Sequence, residues 1–177
     1  MSPAPAAQSL KLETKPDFSG TWLLDTRKSN SPGLTSESDL PITISHHDPE
    51  FRVTLESESN GQIVKREFVY FTDGRGETNE ATSILTTRPS AAKPEDLRNQ
   101  VNKSKSKWSC KKIVTRSPLR SNIAGHFVEF EQVDEWKLSD DGKVLTQTSR
   151  VNFLNSDAAF VPARTTDKKR VYNRVTS

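Results

Sequence analysis

Apolar and polar residues alternate along most of this chain, in short runs separated by turn-forming residues. In the segment 51–56, Phe51, Val53 and Leu55 fall on one side and polar or charged residues fall on the other. A period of two is typical of a β-strand with one buried face. Similar runs predict further strands at residues 18–24, 42–45, 63–71, 108–116, 127–138, 144–153 and 169–174. The pattern therefore predicts an all-β protein.

Turn signals separate these runs and indicate how the strands are connected. Residues 47–50 (His-Asp-Pro-Glu), 59–61 (Ser-Asn-Gly) and 139–142 (Ser-Asp-Asp-Gly) each join two consecutive strands. Short strands joined in chain order form a meander. We therefore expect a single antiparallel up-and-down β-barrel of eight or nine strands with little helix, wide enough to hold one small ligand.

The remaining segments suggest one domain with flexible additions. Residues 1–16 are rich in proline and alanine and predict a disordered N-terminal tail, which leaves 17–177 for the barrel. Residues 81–107 predict a long loop insertion, because Thr, Ser, Lys and Asn dominate there. No run approaches the roughly 20 apolar residues of a transmembrane helix. We expect no membrane insertion.

Motifs near both ends carry a family resemblance. Gly20-Thr21-Trp22 resembles the Gly-x-Trp of lipocalins, and Phe18 to Leu24 is similar to the first strand of fatty-acid-binding proteins and of small bacterial lipocalin-like proteins. Arg170-Val171-Tyr172 resembles the last-strand Arg-x-Tyr with which fatty-acid-binding proteins hold a ligand carboxylate. This resemblance to the calycin superfamily implies a barrel that carries a small hydrophobic molecule. Its bacterial members imply a secreted or periplasmic protein, with the cytoplasm as the alternative.

The resemblance to fatty-acid-binding proteins has a gap after the first strand. Those proteins carry a helical lid there. Residues 29–40 are rich in Ser, Pro and Gly and show no helical spacing of apolar side chains. An entry lid of that kind is not expected.

The last predicted strand places two arginines on one face. Arg170, Tyr172 and Arg174 lie at spacing two and point the same way. A buried guanidinium needs a partner, because an isolated charge in a low-dielectric interior is costly. Arg170 and Tyr172 are candidates to bind a ligand carboxylate. Alternatively, an arginine lies across the indole of Trp22 and closes the barrel. We assign that structural role to Arg174, with Gly20 beside it.

A mixed stripe on the 127–138 and 144–153 strands supplies further candidate ligand contacts. Its members share the inward face of their strands: Phe130, Gln132, Asp134, Trp136, Gln147 and Ser149. A few polar groups among apolar walls are typical of a ligand pocket. A hydrogen-bonded internal network is the alternative.

The chain offers little support for catalysis, a metal or a cofactor. Asp134 is a candidate acid or base, but neither a Gly-x-Ser-x-Gly nucleophile motif nor a phosphate loop is present. His46 and His47 point to opposite faces of a strand, and we expect the histidines to be solvated or capping. The single cysteine, Cys110, excludes an intramolecular disulfide and is expected to be a buried structural thiol. We expect no cofactor and no metal.

Charge adds one further candidate function. Residues 98–120 hold eight basic side chains and no acid, with Trp108 among them, which is the pattern of a nucleic-acid surface. Residues 129–141 hold six acids on a strand expected to pair with it, and the net charge is only +3. We expect these charges to neutralise each other and predict no nucleic-acid partner.

Taken together, these patterns predict a noncatalytic carrier of a small hydrophobic, carboxylate-bearing ligand. Two alternatives stay open: a barrel enzyme (isomerase, cyclase or hydrolase) and a filled barrel that serves as an interaction module.

Overall fold

In the part of the chain that the structure describes, ten antiparallel strands curve into a nearly closed barrel. The structure, a computed structural model, describes residues 14–30, 41–59, 62–80, 101–123, 126–154 and 167–176, and no helix occurs among them. The strands are β1 (Gly20–Leu24), β2 (Ile42–His47), β3 (Glu50–Ser59), β4 (Gln62–Phe71), β5 (Glu77–Glu80), β6 (Val101–Ser109), β7 (Lys112–Ile123), β8 (His126–Leu138), β9 (Val144–Phe153) and β10 (Lys168–Arg174). The all-β, up-and-down prediction is confirmed.

Each strand pairs with the next one in the chain, except that β4 does not pair with β5. β1 pairs with β2 and also with β10, which places Trp22 opposite Arg174. The edges of the sheet are β4 and β5. Asn79 joins them with two hydrogen bonds, donating Nδ2 to the Val69 carbonyl at 2.9 Å and accepting the Val69 N–H at 2.8 Å. Within the described ranges, side chains rather than a backbone ladder thus close this seam.

The prediction of eight or nine strands was wrong, because two polar strands escape the hydrophobic pattern. β5 is Glu-Thr-Asn-Glu, and β6 begins at Val101, inside the expected 81–107 loop. The buried face of β6 carries Ser104 and Ser106, whose hydroxyls donate to the buried carboxylate of Glu77 at 2.6 and 2.8 Å. Hydrogen bonds thus hold this strand pair where an apolar face would otherwise do so. Residues 81–100 lie outside the described part of the chain.

The predicted strand over residues 108–116 is divided by a tight turn. Ser109 pairs with Lys112, so Cys110 and Lys111 form a two-residue hairpin loop between β6 and β7. Cys110 has a φ of 55° and an exposed thiol. The expectation of a buried structural thiol was therefore wrong. No glycine or asparagine marks this turn, so the sequence pattern did not reveal it.

The apolar core fills the end of the barrel where β1 begins. Phe18, Trp22, Phe51, Ile113 and Leu145 have no measurable exposure there. The rings of Phe18 and Phe51 meet edge to face, with centroids 5.6 Å apart. We call this region the aromatic end. It anchors the strands and leaves the polar inward positions further along the barrel.

Candidate functional site

A belt of polar side chains crosses the interior of β6 to β10, next to the aromatic end. The belt continues from strand to strand because its members are cross-strand neighbours. Ser106 lies opposite Thr115, Thr115 opposite Asp134, and Asp134 opposite Ser149. The hydroxyls of Ser106 and Thr115 share a hydrogen bond of 2.7 Å. Both residues are buried. The belt is therefore an interior feature and not a solvated surface.

Asp134 is the ionisable centre of this belt. Gln132 donates its amide Nε2 to Asp134 Oδ2 at 2.9 Å, and the Ser149 side chain also hydrogen-bonds to the carboxyl group. Burial raises the pKa of Asp134 above its usual range, although these hydrogen bonds and the charge of Arg170 oppose the shift. A carboxyl group in this setting holds its proton more tightly than one in water does.

Arg170 faces Asp134 from β10 but makes its described hydrogen bonds to neutral groups. It donates Nη1 to Gln147 Oε1 at 3.5 Å and also hydrogen-bonds to the Tyr172 hydroxyl. Burial raises the pKa of the Tyr172 phenol, so this hydroxyl stays protonated at neutral pH. Among the described residues, no carboxylate lies within ion-pair distance of Arg170. The guanidinium therefore retains capacity for an anion.

A cavity of about 20 Å³ lies between these groups, which is the space of a single water molecule. Its lining is Asp134, Gln147, Ser149, Lys168 and Arg170. Lys168 was missed by the sequence reasoning, although it shares the inward spacing of Arg170. Burial lowers the pKa of Lys168, and the charge of Arg170 adds to the effect. Extending the alternation of β10 by one step would have found this residue.

The opposite wall of the barrel, from β1 to β4, is apolar. Ile42, Ile44, Val53 and Phe68 are buried there, and Leu24, Leu55 and Tyr70 pack against them. Burial raises the pKa of Tyr70, with the charges of Asp134 and Glu77 as secondary causes. The interior is thus divided lengthwise into an apolar half and a polar half.

Two predicted ligand residues lie apart from the cavity. Trp136 is buried in the aromatic end, with its ring 5.6 Å from that of Phe51. Phe130 packs against Phe153 on the neighbouring strand, with ring centroids 6.1 Å apart. Gln132 reaches the site through its hydrogen bond to Asp134, and Tyr172 reaches it through Arg170.

Arg174 lies over Trp22, with its guanidinium carbon 4.3 Å from the indole centroid. It also donates hydrogen bonds to the carbonyls of Ser19 at 2.7 Å and Gly142 at 2.8 Å. Gly20 leaves the space for this guanidinium, since a Cβ on Gly20 would lie 2.8 Å from Arg174 Nη1. Arg174 is therefore fully engaged at the aromatic end, in contrast to Arg170.

His46 is enclosed at the aromatic end, whereas the sequence suggested a solvated or capping side chain. Its side chain is 5% exposed, and Nδ1 accepts the Phe18 N–H at 3.4 Å. Its Nε2 has no hydrogen-bond partner among the described residues. Burial lowers the pKa of His46, although the carboxylates of Asp17 and Asp48 oppose this. The alternation of β2 implied that one of the two neighbouring histidines faces inward, and packing decides how deeply.

Trp108 also points inward and is tied to Asp48. Its Nε1 donates to Asp48 Oδ1 at 2.7 Å, and its ring lies 6.0 Å from that of Phe18. Burial alone would raise the pKa of Asp48, but hydrogen bonds from Lys15, Thr72 and Trp108 lower it to about 2. The indole is thus part of the aromatic end and is not a platform on the outer surface.

Comparison with known proteins assigns no family: no protein-family model matches the chain, and no curated protein is significantly similar to it. In the described part of the chain, no group of three metal-ligand side chains is placed to hold an ion. Those same residues form no helix that is long and apolar enough to span a bilayer.

Proposed function

We propose that the barrel binds a small amphipathic molecule whose carboxylate contacts Arg170 and whose apolar part lies against the wall of β1 to β4. One observation carries this proposal. Arg170 is a half-buried cation whose described hydrogen bonds go to the neutral groups of Gln147 and Tyr172. A half-buried charge with no carboxylate at ion-pair distance is costly, and a ligand carboxylate would remove that cost.

The geometry around Arg170 supports a carboxylate in particular. Arginine presents parallel N–H donors that match the two oxygens of a carboxylate, and charge-assisted hydrogen bonds are stronger than neutral ones. Tyr172 adds a hydroxyl donor beside them, while the 3.5 Å contact from Arg170 to Gln147 is long and easily exchanged. In this proposal the head group displaces the single water molecule for which the cavity beside Arg170 has space.

The division of the interior supports an amphipathic ligand. A hydrocarbon chain against the apolar wall gains roughly 25 cal/mol per Å² of buried surface. A wholly polar ligand would not bury its surface against the apolar wall, and a wholly apolar ligand would bring no carboxylate to Arg170. An amphipathic acid satisfies both halves.

The test compares the affinity of the protein for a medium-chain fatty acid with its affinity for the alcohol of equal length. Tryptophan fluorescence measures both. Arg170→Gln is expected to weaken the acid about tenfold or more, because a charge-assisted hydrogen bond contributes roughly 1.5–3 kcal/mol. Affinity for the alcohol should change little. The matched control is Arg150→Gln, the same substitution at an exposed arginine of the outer face of β9. Equal weakening of acid and alcohol, or no acid binding by the unaltered protein, would overturn the proposal.

Acid–base catalysis at Asp134 is the second candidate function. The observation in its favour is that burial raises the pKa of a carboxyl group that borders a cavity. A barrel enzyme would lose turnover in Asp134→Asn while keeping its fold and its affinity for substrate. Retention of turnover in that variant would exclude this role.

A further inference from the structure

The outer face of β6 and β7 carries a groove of about 610 Å³. Five basic side chains line it: Lys103, Lys105, Lys107, Lys112 and Arg116. Val114 and Pro118 of β7 add apolar surface, and Glu131 and Glu135 of β8 border it. We call this the β6–β7 groove. It lies on the opposite side of the barrel wall from the polar belt.

The glutamates of the groove are already engaged by β7 and β9. Lys112 donates to Glu135 at 2.6 Å, and Arg116 donates to Glu131 at 2.6 Å. Arg150 of β9 also hydrogen-bonds to Glu135. The acids of β8 therefore neutralise the cations of β7, as the opposed charges in the sequence suggested, and none of these pairs extends to β6.

Three lysines on β6 remain without an acidic partner among the described residues: Lys103, Lys105 and Lys107. All three are exposed and share the outer face, since Ser104 and Ser106 between them point inward. Lys105 lies directly opposite Arg116, and like charges in that position are unfavourable. The groove thus holds an uncompensated row of positive charge.

We propose that the β6–β7 groove binds an extended acidic peptide segment of a partner protein, with acidic side chains at alternate positions. The lysines are two residues apart on a strand, which separates them by about 6.4–6.8 Å along β6. Alternate side chains of an extended peptide have the same spacing, so carboxylates and ammonium groups fall into register. Val114 and Pro118 offer apolar contact to the side chains between the acids.

The side chains of the groove favour a peptide over a nucleic acid. Single-stranded nucleic acids are held by aromatic side chains on which bases stack. Among the described residues that line the groove, Trp108 alone is aromatic, and its indole packs against the rings of Phe18 and His46. The row of lysines supplies point charges alone.

The experiment uses the full chain and two fluorescent peptides of about 12 residues, long enough to span β6. One peptide alternates glutamate and threonine, and the other has the same composition with its glutamates in one block. Anisotropy is measured at about 50 mM salt, where surface charges are weakly screened. We expect the alternating peptide to bind more tightly than the block peptide, and both to be released at about 0.5 M salt.

The decisive variant replaces Lys103, Lys105 and Lys107 with Gln. Its matched control makes the same change at Lys137, Lys143 and Lys169, which are exposed and lie outside the groove. We expect the groove variant to weaken the alternating peptide about tenfold and the control by less than about twofold, since a net-charge effect alone would be equal in both. Thermal unfolding verifies that both variants are folded.

Three results would overturn the proposal. Equal loss in both triple variants would reduce the effect to net charge. Equal affinity for the two peptides would remove the role of alternate spacing. Tighter binding of an oligothymidylate of equal charge would assign the groove to nucleic acid instead.

Discussion

His46 shows how one side chain makes the stability of the barrel depend on pH. Its imidazole is enclosed by the rings of Phe18, Phe51 and Trp108, with centroids 5.6 to 5.7 Å away. Desolvation disfavours the charged form, which is why the pKa of His46 in the folded chain lies below its usual value of 6.5. His46 therefore takes up a proton near pH 6.5 in the unfolded chain, but only at a lower pH in the folded chain.

We predict that the barrel loses stability as the pH falls through 6.5. The full stability is present above that pH, and the loss continues down to the folded pKa of His46. Urea unfolding between about pH 7.5 and 5.5 measures it. His46→Gln should remove most of the pH dependence. The control, His47→Gln, alters an exposed neighbour and should leave most of the dependence in place, because burial is the main cause of the lowered pKa of His46. An unchanged slope in His46→Gln would contradict this assignment.

At the scale of elements, the seam between β4 and β5 is closed by side chains. Asn79 supplies both a donor and an acceptor to Val69, as a neighbouring strand would, and Glu77 accepts the Phe71 N–H at 3.2 Å. Two side chains thus satisfy backbone groups that would otherwise lie unpaired at the sheet edge.

Asn79→Leu is predicted to destabilise the protein by roughly 1–3 kcal/mol, because it leaves the backbone groups of Val69 without their partner. In this variant, the Val69 amide should exchange hydrogen faster than the amides that bond within the β3–β4 ladder. Thr78→Val, a change at the exposed neighbour on the same strand, is the control. Slow exchange at Val69 in the Asn79 variant would show that the seam is held in another way.

The hydrophobic pattern predicts most of the strands but misses β6, because the buried face of β6 is polar. Alternation of apolar and polar residues marks β2 and β3 clearly, since one face of each contributes apolar side chains to the interior. In β6, serine alternates with lysine, and the buried serines are recognisable only through Glu77 on another strand. Ser104 and Ser106 lie 27 and 29 residues from Glu77 along the chain, so no local sequence pattern predicts these hydrogen bonds.

At the scale of the whole molecule, Arg174 joins the two ends of the chain. It bonds to Ser19, 155 residues away, and lies over Trp22. Two hydrogen bonds and the indole hold the guanidinium, so it cannot easily move aside. The close approach depends on Gly20, whose φ is 140°.

Gly20→Ala is therefore predicted to weaken the closure of β1 on β10. The backbone conformation alone costs a residue with a Cβ roughly 1–3 kcal/mol, and displacement of Arg174 adds to this. Gly76→Ala is the control: its φ is 92°, but the atom nearest to the added Cβ, the Ser104 carbonyl oxygen, lies at 3.4 Å. Denaturant unfolding should show a larger loss for Gly20→Ala. Equal losses would mean that backbone strain, and not the Arg174 contact, accounts for the effect.

The sequence by itself determined the strand class, the meander and the inward alternation of β8, β9 and β10, because a side-chain period of two follows directly from strand geometry. It also placed Arg170, Tyr172 and Arg174 on one face. Only the tertiary structure showed that the carbonyls of Ser19 and Gly142 hold Arg174 over Trp22, and that ten strands rather than eight or nine are present in the described part of the barrel. Both depend on contacts between residues far apart in the chain, which no local pattern of hydrophobicity encodes.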